Sequence, residues 1–230
     1  MNRFPLILSA TVVIAACWSA AVVSAGSMPQ STLAPEQLEL LAKGDPAQSA
    51  KTAKKCAKCH GKTGISDDDD VPHLAGQNPR YVFKQLWDYK HDYRYGGRIK
   101  KITKKLTPED IANLTARFSA SSLPGMEDID VPTPPTLVEQ GDARRGLDAC
   151  VDCHQTDGEG GDDDLELPVL AGMPYDYFVE TMLSFKDGLR YNDPDGIMGE
   201  IANAISEQEI ESLAAYYLAL GQRKRLPEDE

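Results

Sequence analysis

The chain has 230 residues, of which 41% are hydrophobic and 26% are charged. This balance predicts folded domains rather than a disordered chain, and it excludes a protein with several membrane spans. Acidic residues outnumber basic residues by 36 to 24, which gives a net charge of -12. Nonspecific binding to nucleic acid needs a cationic surface, so nucleic acid is not expected as a partner.

The N-terminus has the features of a secretory signal peptide over residues 1–25. Arg3 supplies a positive start, an apolar run follows over residues 6–23, and small residues end at Ala25. This pattern predicts export and cleavage after Ala25. Two alternatives remain open, namely a retained membrane anchor and a lipid attached at Cys17. Otherwise, any membrane contact is expected to be peripheral.

The other four cysteines occur in two copies of one pattern. Residues 56–60 (Cys-Ala-Lys-Cys-His) are followed 94 residues later by residues 150–154 (Cys-Val-Asp-Cys-His). A Pro-x-Leu-Ala-Gly segment follows each copy, at residues 72–76 and 168–172. The shared order of features indicates a tandem duplication, and a period of about a hundred residues suits two small domains.

The expected organisation is a signal peptide at residues 1–25, a first domain at 26–120, a linker at 121–136 and a second domain at 137–230. The linker assignment depends on a stretch rich in Pro, Ser and Asp. Each half is predicted to be helical, because no segment after the signal peptide has a convincing strand pattern.

Helices are expected to open at Asp45-Pro46 and at Gly141-Asp142 and to run into the cysteine pairs. Apolar residues at helical spacing predict further helices from Tyr81 to about Tyr89 and from Tyr175 to about Lys186.

A closing helix is predicted in each half. Thr107 is a candidate N-cap with Pro108 at the first helical position. Ser206 with Glu209 three residues later has the spacing of a capping box.

The two Cys-x-x-Cys-His patterns are typical of covalent haem c attachment. Two thiols one helical turn apart can add to the two vinyl groups of one porphyrin, and the adjacent histidine then binds the iron. A zinc site would need all four cysteines together, and a redox dithiol would need a βαβ unit. We therefore predict two covalently bound haem c groups. The predicted residues are Cys56, Cys59, Cys150 and Cys153 for attachment and His60 and His154 as axial iron ligands.

The sixth ligand of the second haem iron is predicted to be Met198. This residue precedes the last helix, in a stretch expected to be a loop over the far face of the ring. A thioether ligand raises the reduction potential and closes the iron to other ligands. Met173 and Met182 are the alternatives, although Met182 is expected to pack inside a helix.

The first half lacks this methionine. Aligning the two closing helices places Ile99 at the position of Met198, and isoleucine cannot bind iron. His91 is the first candidate for the sixth ligand, followed by Lys100 and Lys101. Another residue, or no protein ligand at all, remains open.

Charge is shared unevenly between the halves. Residues 26–130 carry 16 basic and 14 acidic side chains, whereas residues 131–230 carry 7 basic and 22 acidic ones. This uneven distribution gives the molecule an electric dipole, which would orient encounters with a redox partner. The alternative is that the acidic residues serve solubility only.

With these motifs, the chain resembles the dihaem cytochromes of the cytochrome c4 family. The likeness covers most of the chain after the signal peptide. It depends on residues 56–61, 74–77, 85–86 and the helix from 107 in the first half, and on residues 150–154, 170–172, 185–190, Met198 and the closing helix in the second. The chain is also similar to the cytochrome subunit of flavocytochrome c sulfide dehydrogenase.

The resemblance implies an all-α fold of two tandem class I cytochrome c domains, each wrapped around a covalent haem. It also implies a periplasmic carrier that passes single electrons between redox partner proteins, such as a dehydrogenase and a terminal oxidase, and that is not an enzyme. The first alternative is the electron-accepting cytochrome subunit of a sulfur-compound dehydrogenase. The second is a small dihaem enzyme with an open first haem.

Overall fold

The structure is a computed structural model that describes residues 32–121, 131–160 and 166–223. The predicted signal peptide with Cys17, and most of the predicted linker, lie outside these ranges. Within them the regular structure is helical, as predicted, and an isolated bridge between Asp142 and Leu147 is the sole β pairing. None of the described helices is long and apolar enough to cross a membrane.

The described helices follow the duplicated order. In the first half they are α1 (Pro35–Ala42), a 3-10 turn (Pro46–Ser49), α2 (Ala50–His60), α3 (Pro79–His91), α4 (Gly97–Thr103) and α5 (Pro108–Ser119). In the second half they are α6 (Thr136–Glu139), α7 (Cys150–His154), α8 (Tyr175–Lys186), a 3-10 turn (Pro194–Gly196), α9 (Ile197–Ala204) and α10 (Glu207–Arg223).

Each half has its own hydrophobic core, which lies between α3 and the closing helix α5 in the first half and between α8 and the closing helix α10 in the second. In the first half, Phe83 of α3 and Ile111 of α5 are completely buried. In the second half, Phe178 of α8 stacks on Tyr217 of α10, with ring centroids 5.9 Å apart. The two cores therefore use equivalent helices, which supports the duplication inferred from the sequence.

The predicted starts of the closing helices are confirmed. Thr107 Oγ1 accepts a hydrogen bond from the backbone N–H of Asp110 (3.1 Å), and the Asp110 carboxylate accepts one from the backbone N–H of Thr107 (3.0 Å). Ser206 and Glu209 form the same box at 3.2 and 2.8 Å. Each box satisfies two amide donors that a helix start leaves without partners.

The prediction of a helix that opens at Gly141-Asp142 is wrong. Gly141 and Gly146 both have positive φ angles (62° and 70°), which end helical winding, and residues 142–147 form a turn instead. Helix α7 begins only at Cys150 and has 5 residues, whereas α2 has 11. The second cysteine pair is therefore presented by a loop and a single helical turn.

Candidate functional site

The two cysteines of each pair lie on one helical turn. In both α2 and α7 the second cysteine follows the first by three positions, which places both thiols on the same side of the helix. All four are free thiols, with no disulfide between them. Cys56 and Cys150 pack against the cores of their halves, and burial raises the pKa of both thiols.

Both motif histidines are held by a proline carbonyl. His60 Nδ1 lies 2.8 Å from the carbonyl oxygen of Pro72, and His154 Nδ1 lies 3.2 Å from that of Pro168. A carbonyl can only accept, so Nδ1 carries the proton in each ring and Nε2 keeps its lone pair. Burial lowers the pKa of both imidazoles, which favours the neutral form that binds metal.

These features fit covalent haem c. Two unpaired thiols on one turn stand beside a neutral imidazole whose Nε2 is available to iron, and this set occurs twice. The proline carbonyl fixes the tautomer and orientation of each ring, as the hydrogen-bonded partner of a metal-binding histidine usually does. Outside these motifs, the described residues contain no group of three or more His, Cys, Asp or Glu side chains that could hold a metal ion.

Met198 was expected in a loop, and this prediction is wrong. The residue lies in the first turn of α9. Asp193 explains the difference, because one of its carboxylate oxygens accepts hydrogen bonds from the backbone N–H groups of Met198 (2.8 Å) and Gly199 (3.2 Å). A carboxylate at this position stabilises a helix start. The half-buried Met198 packs beside the second core, whereas Met182 is a buried core residue of α8. The role of Asp193 was missed, although an acidic residue just before a proline is typical of helix starts.

Ile99 occupies the corresponding place in the first half, half-buried in α4. His91 is the exposed last residue of α3. Its Nδ1 lies 2.9 Å from the carbonyl oxygen of Trp87, and its ring lies against the Trp87 ring, with centroids 4.5 Å apart. Lys100 forms an ion pair with Asp92 (2.6 Å).

The two halves meet at a buried polar interface that the sequence did not reveal. Lys84 and Asp88 of α3 form a buried ion pair at 2.6 Å. Lys84 Nζ also donates to the backbone carbonyl of Asn192 (2.7 Å), and the Asn192 amide donates to Gln85 (2.9 Å) and Asp88 (2.6 Å). One asparagine of the second half is thus bonded to three residues of a single helix in the first.

Contacts across this interface are reciprocal. Arg94 donates to the hydroxyl of Tyr177 (3.1 Å), and Arg190 donates to the hydroxyl of Tyr81 (3.2 Å). Tyr81 and Tyr177 are equivalent positions of the repeat, as are Arg94 and Arg190. The halves therefore pack with local two-fold symmetry, as the subunits of a symmetric dimer do.

Both arginines are buried, and neither forms an ion pair with a carboxylate in the described parts of the chain. Arg94 is bonded to Gln85 and Tyr177, and Arg190 to Gln85, Tyr81 and Asn192. A buried charge without a counter-charge is costly. The interface therefore favours an anionic group beside the two arginines. The propionate groups of haem are carboxylates, so they have the charge that this position favours.

Comparison with known proteins identifies the family. A family model described as cytochrome c matches residues 139–220. Cytochrome c4 of Thiocapsa roseopersicina is 34% identical over 182 residues, covering 78% of this chain and 94% of that protein. A thiosulfate dehydrogenase electron acceptor of Stutzerimonas stutzeri is 30% identical over 178 residues, covering 75% of this chain and 82% of that protein.

A solved structure gives the same result for the fold. The crystal structure of reduced recombinant cytochrome c4 from Pseudomonas stutzeri aligns with a TM-score of 0.68 and 29% identity, over 76% of this chain and 98% of that one. The all-α, two-domain expectation is thereby confirmed. The chain belongs to the cytochrome c4 family, and it is an electron-transfer cytochrome with covalently bound haem c rather than an enzyme.

Proposed function

We propose that the chain carries two haem c groups and passes single electrons between partner proteins of the periplasm. The proposed ligands are Cys56, Cys59 and His60 for the first haem and Cys150, Cys153, His154 and Met198 for the second. The haem iron supplies reversible one-electron chemistry when bound, and the protein ligates it, orients it and excludes water from it. One observation carries the proposal, namely that the same neutral imidazole, held by a proline carbonyl, stands beside a cysteine pair twice.

Met198 is the proposed sixth ligand of the second haem. The Asp193 carboxylate fixes the backbone at Met198, and the side chain is only partly buried, in contrast to the core residue Met182. A fixed backbone limits the positions that the thioether sulfur can reach, which favours a single ligation geometry.

His91 is the proposed sixth ligand of the first haem. Its Nδ1 faces the Trp87 carbonyl, so its Nε2 keeps the lone pair, as in the two proximal histidines. Lys100 is a weaker candidate, because its ammonium group is engaged with Asp92. Lys101 is exposed and is the remaining lysine alternative.

Arg94 and Arg190 are proposed to offset the propionate charges of the two haems at the interface. Each guanidinium is buried and is paired only with neutral groups among the described residues. Such pairing would give the haems a shared polar boundary through which the halves influence each other's potential.

The proposed domain limits are residues 26–120 and 137–230, with a linker at 121–136, after removal of a signal peptide at residues 1–25. Export to the periplasm is the setting in which Cys-x-x-Cys-His motifs receive haem. The partners are proposed to be a dehydrogenase as donor and a terminal oxidase as acceptor.

A second candidate role is acceptance of electrons from a sulfur-compound dehydrogenase. Its support is the likeness to proteins named as thiosulfate dehydrogenase electron acceptors. The discriminating measurement is reduction of the purified cytochrome by a thiosulfate dehydrogenase in the presence of thiosulfate. Reduction within the mixing time supports this role, and an absence of reduction over hours contradicts it.

The mass and the absorption spectrum of the mature protein test the main proposal. The mass should exceed that of the polypeptide by two haems, and variants C56S/C59S and C150S/C153S should each retain one. A colourless protein, or a wild-type mass with a single haem, would contradict it. Binding of carbon monoxide by the reduced C150S/C153S variant, which should retain only the first haem, would show that the first iron is open, and would exclude His91 as its ligand.

A further inference from the structure

A row of lysines covers the exposed side of α2, the helix that carries the first cysteine pair. Lys51, Lys54, Lys55 and Lys58 are spaced by three and four positions, so they share one face of the helix, and all four are exposed. None of them forms an ion pair with a residue that the structure describes. Lys58 directly precedes Cys59, so the row ends at the attachment site.

Helix α4 adds cations beside the same attachment site. The guanidinium of Arg98 reaches the thiol of Cys59, with Nη1 3.9 Å from Sγ. Lys101 lies one turn further along α4 and is also exposed. We call the exposed cations of α2 and α4 around Cys59, namely Lys51, Lys54, Lys55, Lys58, Arg98 and Lys101, the basic rim.

The second half carries the opposite charge at equivalent positions. Three lysines of the basic rim correspond to exposed carboxylates in the aligned repeat. The pairs are Lys54 with Asp148, Lys58 with Asp152, and Lys101 with Glu200. The two attachment sites thus carry opposite charges at these three positions of the repeat.

Stability does not account for the basic rim. Like charges three and four positions apart on a helix repel each other and weaken it. Within the described residues, no lysine of α2 lies within ion-pair distance of a carboxylate, although Asp110 of α5 accepts a hydrogen bond from Thr52 of the same helix. Unpaired cations gathered at the edge of a redox site instead favour the approach of an anionic partner, and they raise its association rate.

We propose that the basic rim docks an acidic redox protein, distinct from this chain, which exchanges electrons with the first haem only. The carboxylates around the second attachment site repel the same partner, so the charge reversal assigns one partner to one end of the molecule. This inference rests on the proposed function, because it needs a haem held by Cys56, Cys59 and His60.

Electron transfer from an acidic donor tests the assignment. The probe is a reduced flavodoxin, an acidic flavoprotein, mixed with the oxidised holoprotein; one electron leaves the flavin and reduces one ferric haem. The test variant is K54E/K58E. The matched control is K43E/R144E, which changes the net charge equally at exposed positions directly after α1 and in the second half. Haem content and absorption are measured first, so that failure of the proposed function is separated from failure of docking.

At low ionic strength, K54E/K58E should slow reduction by flavodoxin by about tenfold or more, and the control should slow it by less than about twofold. Added salt should slow the wild type and remove the difference between the proteins. Reduction by hexaammineruthenium(II), a small cationic donor, should not become slower in K54E/K58E, which shows that the haems remain reactive.

Equal slowing of the test and control variants would overturn the assignment, because net charge would then explain the rates. Dimerisation of the wild type at low salt, abolished in K54E/K58E and seen by sedimentation, would also overturn it. The basic rim would then be occupied by the acidic half of a second copy.

Discussion

The guanidinium of Arg94 donates to the hydroxyl of Tyr177 across the boundary between the two halves, at 3.1 Å. Tyr177 lies in the first turn of α8, whereas Arg94 follows α3. The repeat reproduces this contact between Arg190 and Tyr81 at 3.2 Å. A duplicated chain thereby acquires two equivalent hydrogen bonds from one ancestral pair of residues, and both halves are held in a single relative orientation.

Removal of the Tyr177 hydroxyl should loosen this interface. Y177F leaves the buried Arg94 with one acceptor fewer, and we expect the free energy of unfolding to fall by about 1–3 kcal/mol. Denaturant unfolding of the holoprotein measures the loss. The control is Y175F in the same helix, because the Tyr175 hydroxyl forms no hydrogen bond with a described residue and its removal should change stability by less than about 0.5 kcal/mol. Equal losses in both variants would contradict a role for the Arg94 contact.

Replacement of Met198 should change the iron ligation of the second haem without unfolding the protein. M198A should abolish the methionine–iron absorption band of the oxidised protein and lower the potential of one haem, because the thioether ligand is lost. M182A removes a buried core side chain and should instead cost about 2–5 kcal/mol of stability while keeping the band. If the band survives in M198A and disappears in M182A, the ligand assignment is reversed.

Two glycines of the second half should respond oppositely to alanine. A Cβ at Gly221 of α10 would lie 1.9 Å from the backbone nitrogen of Gly172, so G221A should destabilise the protein by about 3 kcal/mol or more. A Cβ at Gly199 of α9 meets no atom within 4 Å, and G199A should add about 0.5–1 kcal/mol through a smaller loss of backbone entropy. Thermal unfolding of the holoproteins measures both, and a stable G221A variant would refute the close approach.

Lowering the pH should remove the contribution of Glu209 to the stability of the folded protein. Hydrogen bonds from Arg145, at 2.8 and 3.0 Å, lower the pKa of this carboxyl from 4.5 to about 2. A carboxylate whose pKa is depressed in the folded state stabilises the protein above the unfolded pKa, and this stability is lost as the pH falls. The stability difference between wild type and E209Q should therefore be constant above about pH 5 and disappear between pH 4.5 and 2.

Denaturant unfolding at several pH values measures this difference. Because Glu209 and Arg145 are each about one third exposed, the effect should be small and should decrease with salt. A stability difference between wild type and E209Q that grows below pH 4 would contradict the predicted direction of the pH dependence.

The sequence alone was sufficient for features whose contacts are close in the chain. The cysteine pairs, their histidines and the caps at Thr107 and Ser206 involve partners within a few positions, so residue type and spacing predict them. The same approach failed around Met198, where a loop was expected. There the decisive contact is Asp193, whose carboxylate supplies the acceptor that starts α9.

Only the tertiary structure revealed the interface between the halves. Asn192 meets Gln85 and Asp88 more than a hundred positions away, and no local pattern distinguishes these polar residues from solvent-exposed ones. Their burial depends on how two separately folded units orient toward each other. That orientation also decides which arginines lose their contact with water, and it arises from shape and hydrogen bonding across the boundary rather than from the composition of either half.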